Sequence, residues 1–386
     1  MKPITSGYRC IIIAIALAAI SVAGCHREIA VPPLPERYVT LSDKFFDVWP
    51  TGPTSAFVAG DRGKLLYTDD NGAHFERIDI GTGLAVFGIQ MVDGRTGFLC
   101  GQDGLIMRTR DGGKTWQQLN SRTHLYIFAL SFTDPMHGFL VGDRGLVLST
   151  SDGGETFFKR QLERIFPPEL ADFALPYQEP ILYSVKFVDN DHGWISGEMG
   201  RLWATDNGGK TWNEQQQSLM TQWKHTLGPN DDSRLADFLM PTFFSISFRD
   251  RDHGAACGLE GWIIQTDDGG KNWRFAHQAD KPGGTADTLV PGAPQDPARD
   301  PLFSIDLFGN DQGMAAGLTG TALRLQPDGT WAHDPSVPGL PIPFSQVRFF
   351  DAQHGWIVGL GTILYTGDGG KSWRFCQGGS RKRGPA

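Results

Sequence analysis

One eight-residue pattern, Thr-x-Asp-x-Gly-x-x-Trp, occupies 109–116 and returns along the whole chain. Copies stand at 68–75, 150–157, 205–212, 266–273 and 366–373, and a worn copy at 324–331 keeps only its closing Trp331. Repetition at a near-constant period confines a chain to architectures built from stacked or radial copies of one unit. Each part of the octad has a local task. The Thr hydroxyl and the Asp carboxylate can accept bonds from nearby backbone N–H groups. Asp-Gly and Asn-Gly supply the positive φ of a tight hairpin. The closing aromatic leads the next strand and buries a large apolar area. The octad therefore reads as a staple between two strands. As catalytic or metal-binding carboxylates, Asp70, Asp111, Asp152, Asp268 and Asp368 would have to converge, and equivalent turns in separate units do not.

The third copy shows the unit around the octad. Residues 126–133 alternate apolar and polar, as a half-buried strand does. Asp134-Pro-Met-His-Gly138 turns the chain, 139–141 forms a second strand, and 142–145 (Gly-x-x-Gly) turns it again. A third strand enters the octad and a fourth leaves it. Four short antiparallel strands about every 40 residues make a propeller blade. The closing aromatics are Phe75, Trp116, Phe157, Trp212, Trp273, Trp331 and Trp373, with gaps of 41, 41, 55, 61, 58 and 42 residues. The expected fold is all-β, a seven-bladed β-propeller of four-stranded antiparallel blades over 44–376. Length alone, at 386 residues, would suggest two or three domains; the repeats argue for one closed ring.

The three long gaps carry inserts at about 163–181, 214–242 and 275–301, each between the last strand of one blade and the first of the next. Connections alternate between the two faces of such a disc. The octads and the Asp-x-x-His-Gly turns are thus expected on one face, and the Gly-x-x-Gly turns with all three inserts on the other. Loops on a rigid scaffold tend to carry function, so the insert face is the candidate binding face. Its candidate contacts are Arg62 and Arg144, suited to a bidentate bond with a partner carboxylate, and the insert aromatics Phe166, Tyr177, Trp223 and Phe238. Packing of the inserts on the disc is the plainer alternative for those aromatics.

His137, His192, His253 and His354 resemble a ligand set only until their context is read. Each precedes Gly in the same turn of a different blade, which makes them turn residues. First strands share Phe87-Gly88-Ile89, Phe128-Ala129-Leu130, Tyr183-Ser184-Val185, Phe244-Ser245-Ile246 and Phe303-Ser304-Ile305. Their rings are expected to pack between blades, with the small residue suiting a crowded axis. Asp47 and Asp306 also lie on first strands and could line the channel. Cys100, Cys257 and Cys376 show no disulfide or metal spacing and read as buried small hydrophobes. No cofactor or metal is implied, and a net charge of −8 argues against nucleic acid as a partner.

Residues 1–24 read as a removable targeting segment, with Lys2 and Arg9 ahead of an apolar run over 10–20. Val22-Ala23-Gly24-Cys25 resembles the lipobox of bacterial lipoproteins, which implies lipidation of Cys25 and a tether over 25–43. His26, where an Asp would signal inner-membrane retention, favours the outer membrane. The resulting expectation is a periplasmic, lipid-anchored monomer with a basic tail at 377–386.

The octads resemble the Asp-box (bacterial neuraminidase) repeat, which occurs in sialidases, xyloglucan hydrolases, sorting receptors and non-enzymatic propellers. Asn207 replaces the Asp in the fourth copy. The longer unit, seen best at 184–212 and 245–273, resembles the photosystem II stability/assembly factor family. That resemblance implies a seven-bladed, non-enzymatic propeller that holds a membrane-protein complex or its precursor subunits during assembly. It extends to export machinery in non-phototrophs. A glycan-binding or glycoside-hydrolysing propeller is the alternative. The sialidase start Phe-Arg-Ile-Pro is absent, and 164–167 echoes it only superficially.

Overall fold

The computed structural model describes residues 38–162, 179–224, 240–277, 299–309, 311–376 and 378–380. Seven antiparallel sheets, each with its strands in chain order from the axis outward, form the seven blades. Blades 1 to 7 span 45–78, 86–118, 127–161, 182–214, 243–277, 302–333 and 344–375. Blade 1 carries a fifth strand, Gly379–Ser380, which runs parallel to His74–Ile78 on the rim. An antiparallel bridge from Lys44 to Leu360 joins blade 1 to blade 7 and closes the ring. Among the described residues no helix is long and apolar enough to cross a membrane.

The core lies between neighbouring blades, because each flat sheet buries both faces against its two neighbours. The residue that opens each inner strand (Phe45, Val86, Ile127, Leu182, Phe243, Leu302, Phe344) is wholly inaccessible. Aromatic pairs stack face to face across the gaps: Phe98 on Phe132 at 3.7 Å, Phe139 on Phe187 at 4.1 Å, Trp194 on Phe248 at 3.6 Å and Phe308 on Phe349 at 3.7 Å. The octad aromatics meet these pairs edge-on. Trp212 stands 5.9 Å from Phe187, Trp273 5.8 Å from Phe248 and Trp373 5.9 Å from Phe349. Such contacts each contribute about 0.5–1.5 kcal/mol beyond the area they bury.

The octads act as the sequence reading expects. In blade 2, Gly113 N–H donates to Thr109 Oγ1 (2.9 Å), Thr109 Oγ1 donates to Asp111 Oδ1 (2.8 Å) and Thr115 N–H donates to Asp111 Oδ1 (2.9 Å). Gly113 has φ +83°, and a Cβ there would sit 2.4 Å from Phe57 of blade 1, so the turn needs glycine for its conformation and for the close approach. The four histidines are turn residues too. Nδ1 of His137, His192, His253 and His354 lies 2.8–2.9 Å from the Asp three positions before it.

Cys100, Cys257 and Cys376 are buried and free, and burial pushes all three thiols up. The targeting segment, Cys25 and most of each insert fall outside the described residues, as do Phe166, Tyr177, Phe238 and 381–383.

Candidate functional site

The two faces divide as their connections require. Octad loops bond to the Asp-x-x-His-Gly turns of their own blade, as Gly153 N–H does to Met136 O (2.9 Å). Gly-x-x-Gly turns bond to the segments that join blades, as Gly145 N–H does to Pro180 O (2.7 Å). The second group forms the turn-tip face.

Six of its hairpin tips share one geometry. The third residue of each Gly-x-x-Gly turn and the glycine after it both have positive φ, for example Arg62 at +53° and Gly63 at +64°. An i to i+3 bond closes each, as Lys64 N–H to Asp61 O does at 3.1 Å. These are type I′ turns, whose first central position favours Asn, Asp or Gly. The chain places Arg62, Asp103, Arg144, Met199, Glu260 and Thr319 there. Five of the six are residue types that the turn itself disfavours. Arg62 and Arg144 are exposed on blades 1 and 3, with blade 2 and its Asp103 between them. Among the described residues neither guanidinium has a side-chain partner, whereas Asp103 lies 2.9 Å from His124 and Glu198 accepts from Ile181 N–H (2.9 Å).

Trp223 does not belong to this surface. It lies on the helix Gln217–Lys224 and is buried, its ring 5.5 Å from Trp262 and 6.2 Å from Phe275. Ser218 Oγ accepts from Trp273 N–H (2.9 Å) and Gln222 Nε2 donates to Trp273 O (2.8 Å). Apolar Leu219, Met220 and Trp223 at helical spacing drive this packing. An exposed anchor is therefore the wrong reading for Trp223, and this part of the second insert is packed on the disc.

The axis holds a cavity of about 750 Å³ lined by all seven inner strands. Each inner strand has a β-bulge at its second residue, between Phe45 and Asp47 in blade 1 and at the equivalent step in every other blade. A bulge leaves one residue unpaired and re-aims its side chain. Here the unpaired residues are Phe46, Phe87, Phe128, Tyr183, Phe244, Phe303 and Ser345, and all line the cavity. Adjacent rings of the first six are 5.0–5.7 Å apart, so they form a collar at the turn-tip mouth. The expectation that these rings pack between blades is thus corrected, because period alone does not reveal a bulge. Tyr183 is pushed up to about 12 by burial, then by Glu198 and Asp143.

Where the residue beyond the ring carries an acceptor, it also ties the next blade. Ser245 Oγ accepts from Ile305 N–H of the next blade (3.2 Å), and Ser304 Oγ accepts from Val347 N–H (3.1 Å). Asp47 Oδ2 does the same for Ile89 N–H (2.8 Å). A second tier lies two residues deeper. Gln90, Ser131, Ser247 and Asp306 accept from the N–H of Phe132, Phe187, Leu307 and Phe349, at 2.8–3.1 Å. Lys186 and Arg348 occupy that tier in blades 4 and 7, where a cation cannot accept. Arg348 stacks on Trp49 at 4.6 Å and reaches Asp47 at 3.8 Å.

Asp47 and Asp306, expected from their first strands as possible channel residues but not brought together by the sequence, line one cavity. Burial raises both carboxyls, against Arg348 and the backbone donors. Burial also lowers Lys186, with Arg348 adding to that and Asp306 opposing it. Among the described residues no group of three or more His, Cys, Asp or Glu side chains converges as a metal site.

The model of the photosynthesis system II assembly factor YCF48 family matches residues 36–126 and 115–170. The match covers the first three blades. A solved structure of YCF48 bound to D1 peptide is 17% identical, with 78% of this chain and 83% of that one covered at a TM-score of 0.54. YCF48 from Cyanidioschyzon merolae is 20% identical over 78% of this chain and 87% of that one, at 0.53. The GH74 xyloglucanase from Xanthomonas campestris is 12% identical at 0.61, and the chain spans 56% of its length. At these identities the structural likenesses speak to the propeller fold. No curated protein matches the chain.

Proposed function

We propose that this chain is a YCF48-like, non-enzymatic scaffold that binds a membrane-protein subunit or its precursor through the turn-tip face. The family match over the first three blades carries the proposal, and a structure described as YCF48 bound to D1 peptide supplies the kind of partner. The turn tips support the choice of face. Arg62 and Arg144 stand where the turn favours Asn, Asp or Gly, and their guanidiniums suit a partner carboxylate. Cys25 is the proposed lipid anchor, which would hold the disc in the periplasm at the outer membrane.

Crosslinking in membranes, followed by capture of the full chain and mass spectrometry, tests the proposal. A stoichiometric integral-membrane partner supports it, and a capture without one contradicts it.

The xyloglucanase likeness raises a second reading, hydrolysis in the channel by Asp47 and Asp306. Both carboxylates are tied to the next blade. Asp47 accepts from Val48 and Ile89 N–H (both 2.8 Å), and Asp306 accepts from Phe349 N–H (2.8 Å). Residues engaged as interblade joints are poorly placed to exchange protons with a glycosidic bond. The expected result of a xyloglucan hydrolysis assay is no activity above a sample carrying Asp47→Asn and Asp306→Asn.

A further inference from the structure

The channel holds two features for which the fold has no use. The first is the collar. Seven bulges in register turn seven side chains to the axis, and six are aromatic, partly exposed in a cavity of about 750 Å³. Rings needed only for stability would bury better between blades, where the preceding residue of every inner strand is wholly inaccessible. The second feature is Lys186. Its tier supplies acceptors for the backbone of the following blade in blades 2, 3, 5 and 6, through Gln90, Ser131, Ser247 and Asp306, while blades 1 and 7 carry Trp49 and Arg348 there. An ammonium has only donors, so Lys186 gives up that joint in blade 4. Among the described residues it has no hydrogen bond or ion pair, and burial disfavours its charge. Asp306 favours that charge through space but is not within ion-pair distance, so the ammonium has room for an acceptor from outside the chain.

We propose that the channel is a binding site for a carboxylate carried on an apolar body, with the apolar end in the collar and the carboxylate at Lys186. The facing groups decide the sign of the ligand. Asp47 and Asp306 already accept backbone N–H groups, and Arg348 is engaged by Trp49 and Asp47. Lys186 is therefore the charged group of the lining that has no hydrogen bond of its own, and it faces Asp306 only through space. The spacing decides the length. Three residues along the strand, the bulged one included, separate the backbone of collar and cation, or up to about 10 Å at 3.3 Å per residue. A ligand must span that distance between its ring or alkyl end and its carboxylate. A small aryl-alkanoic acid does so, and so does a peptide C-terminus with an apolar side chain three positions from the end. The site lies inside the disc and stands whether or not the turn-tip face carries a partner.

Calorimetric titration of the full chain with 4-phenylbutyrate and with the peptide acid acetyl-Phe-Ala-Ala tests the proposal. Their neutral counterparts, 4-phenylbutanol and the peptide amide, serve as controls. At least one acid is expected to bind saturably and at least tenfold more tightly than its counterpart. Lys186→Met is expected to remove that discrimination while melting no lower than the parent chain, since Lys186 makes no hydrogen bond to lose and burial disfavours its charge. Phe128→Ala is expected to weaken acid and neutral probe together. Binding of the peptide alone would mark a chain terminus as the source, and binding of phenylbutyrate alone a small acid. Absence of saturable binding by both acids, equal binding of acid and neutral forms, or discrimination that survives Lys186→Met would overturn the proposal.

Discussion

Asn207 does in blade 4 what an aspartate does in its neighbours. Its Oδ1 accepts from Thr205 Oγ1 and Thr211 N–H, each at 3.0 Å, and its Nδ2 donates to Thr211 Oγ1 at 2.7 Å. The octad therefore needs an acceptor at this position and not a charge. Asp111→Asn should change stability by less than about 0.5 kcal/mol at neutral pH, whereas Asp111→Ala, which strands the Thr115 N–H and hydroxyl, should cost about 1 kcal/mol by denaturant unfolding. Charge matters in acid. Hydrogen bonds from Thr115 hold Asp111 down to about 2, and Ser372 does the same for Asp368. Burial would raise Asp134, yet bonds from His137 and its backbone neighbours bring it to about 2. A depressed folded pKa stabilises fully above the unfolded value near 4 and is lost as pH falls toward 2. The melting temperature should fall steeply between about pH 4 and pH 2, and Asp111→Asn should flatten that slope. The roles of these residues were legible in the sequence because each bond joins partners within four positions. Lys186, Asp306 and Asp47 were not legible as a set, because they come from separate blades and meet only once the ring closes.

At the level of elements, the sequence period located strands and turns but hid the bulges. A two-residue alternation predicts which face a side chain takes only while the ladder is regular, and one extra residue reverses the outcome. The collar was therefore expected between blades and stands at the axis. The joints beside it make a direct prediction. Ser304 is wholly buried and both accepts from Val347 N–H (3.1 Å) and donates to Val347 O (3.3 Å). Ser304→Ala should cost about 1–3 kcal/mol, the penalty for leaving buried backbone groups unpaired; equilibrium unfolding in denaturant reads it. The hairpin tips predict the opposite sign. Arg62→Asn places a residue that tolerates left-handed backbone at φ +53° and should raise stability by about 0.5–1 kcal/mol. The same substitution should weaken partner capture. Stability gained together with binding lost would mark Arg62 as kept for contact.

Over the whole molecule, the seven-bladed ring was readable from the spacing of seven aromatics, because each blade repeats the same local physics. Closure was less readable. The rim strand Gly379–Ser380 and the bridge from Lys44 to Leu360 join the two ends of the chain, and no local pattern announces a pairing some 300 residues apart. Rigid closure gives the two faces of the disc distinct chemistry. One is built of octads whose polar atoms are largely engaged within their own turns, and the other of hairpin tips whose side chains the turns do not require. The central claim is that a partner docks on the second. Its most direct test places a photo-crosslinking residue singly at Arg62, at Arg144 and, on the octad face, at Lys114, in the full chain in its own membranes. The account predicts one common crosslinked partner from positions 62 and 144 and none from 114. A partner captured from 114, with nothing captured from the turn tips, would contradict it.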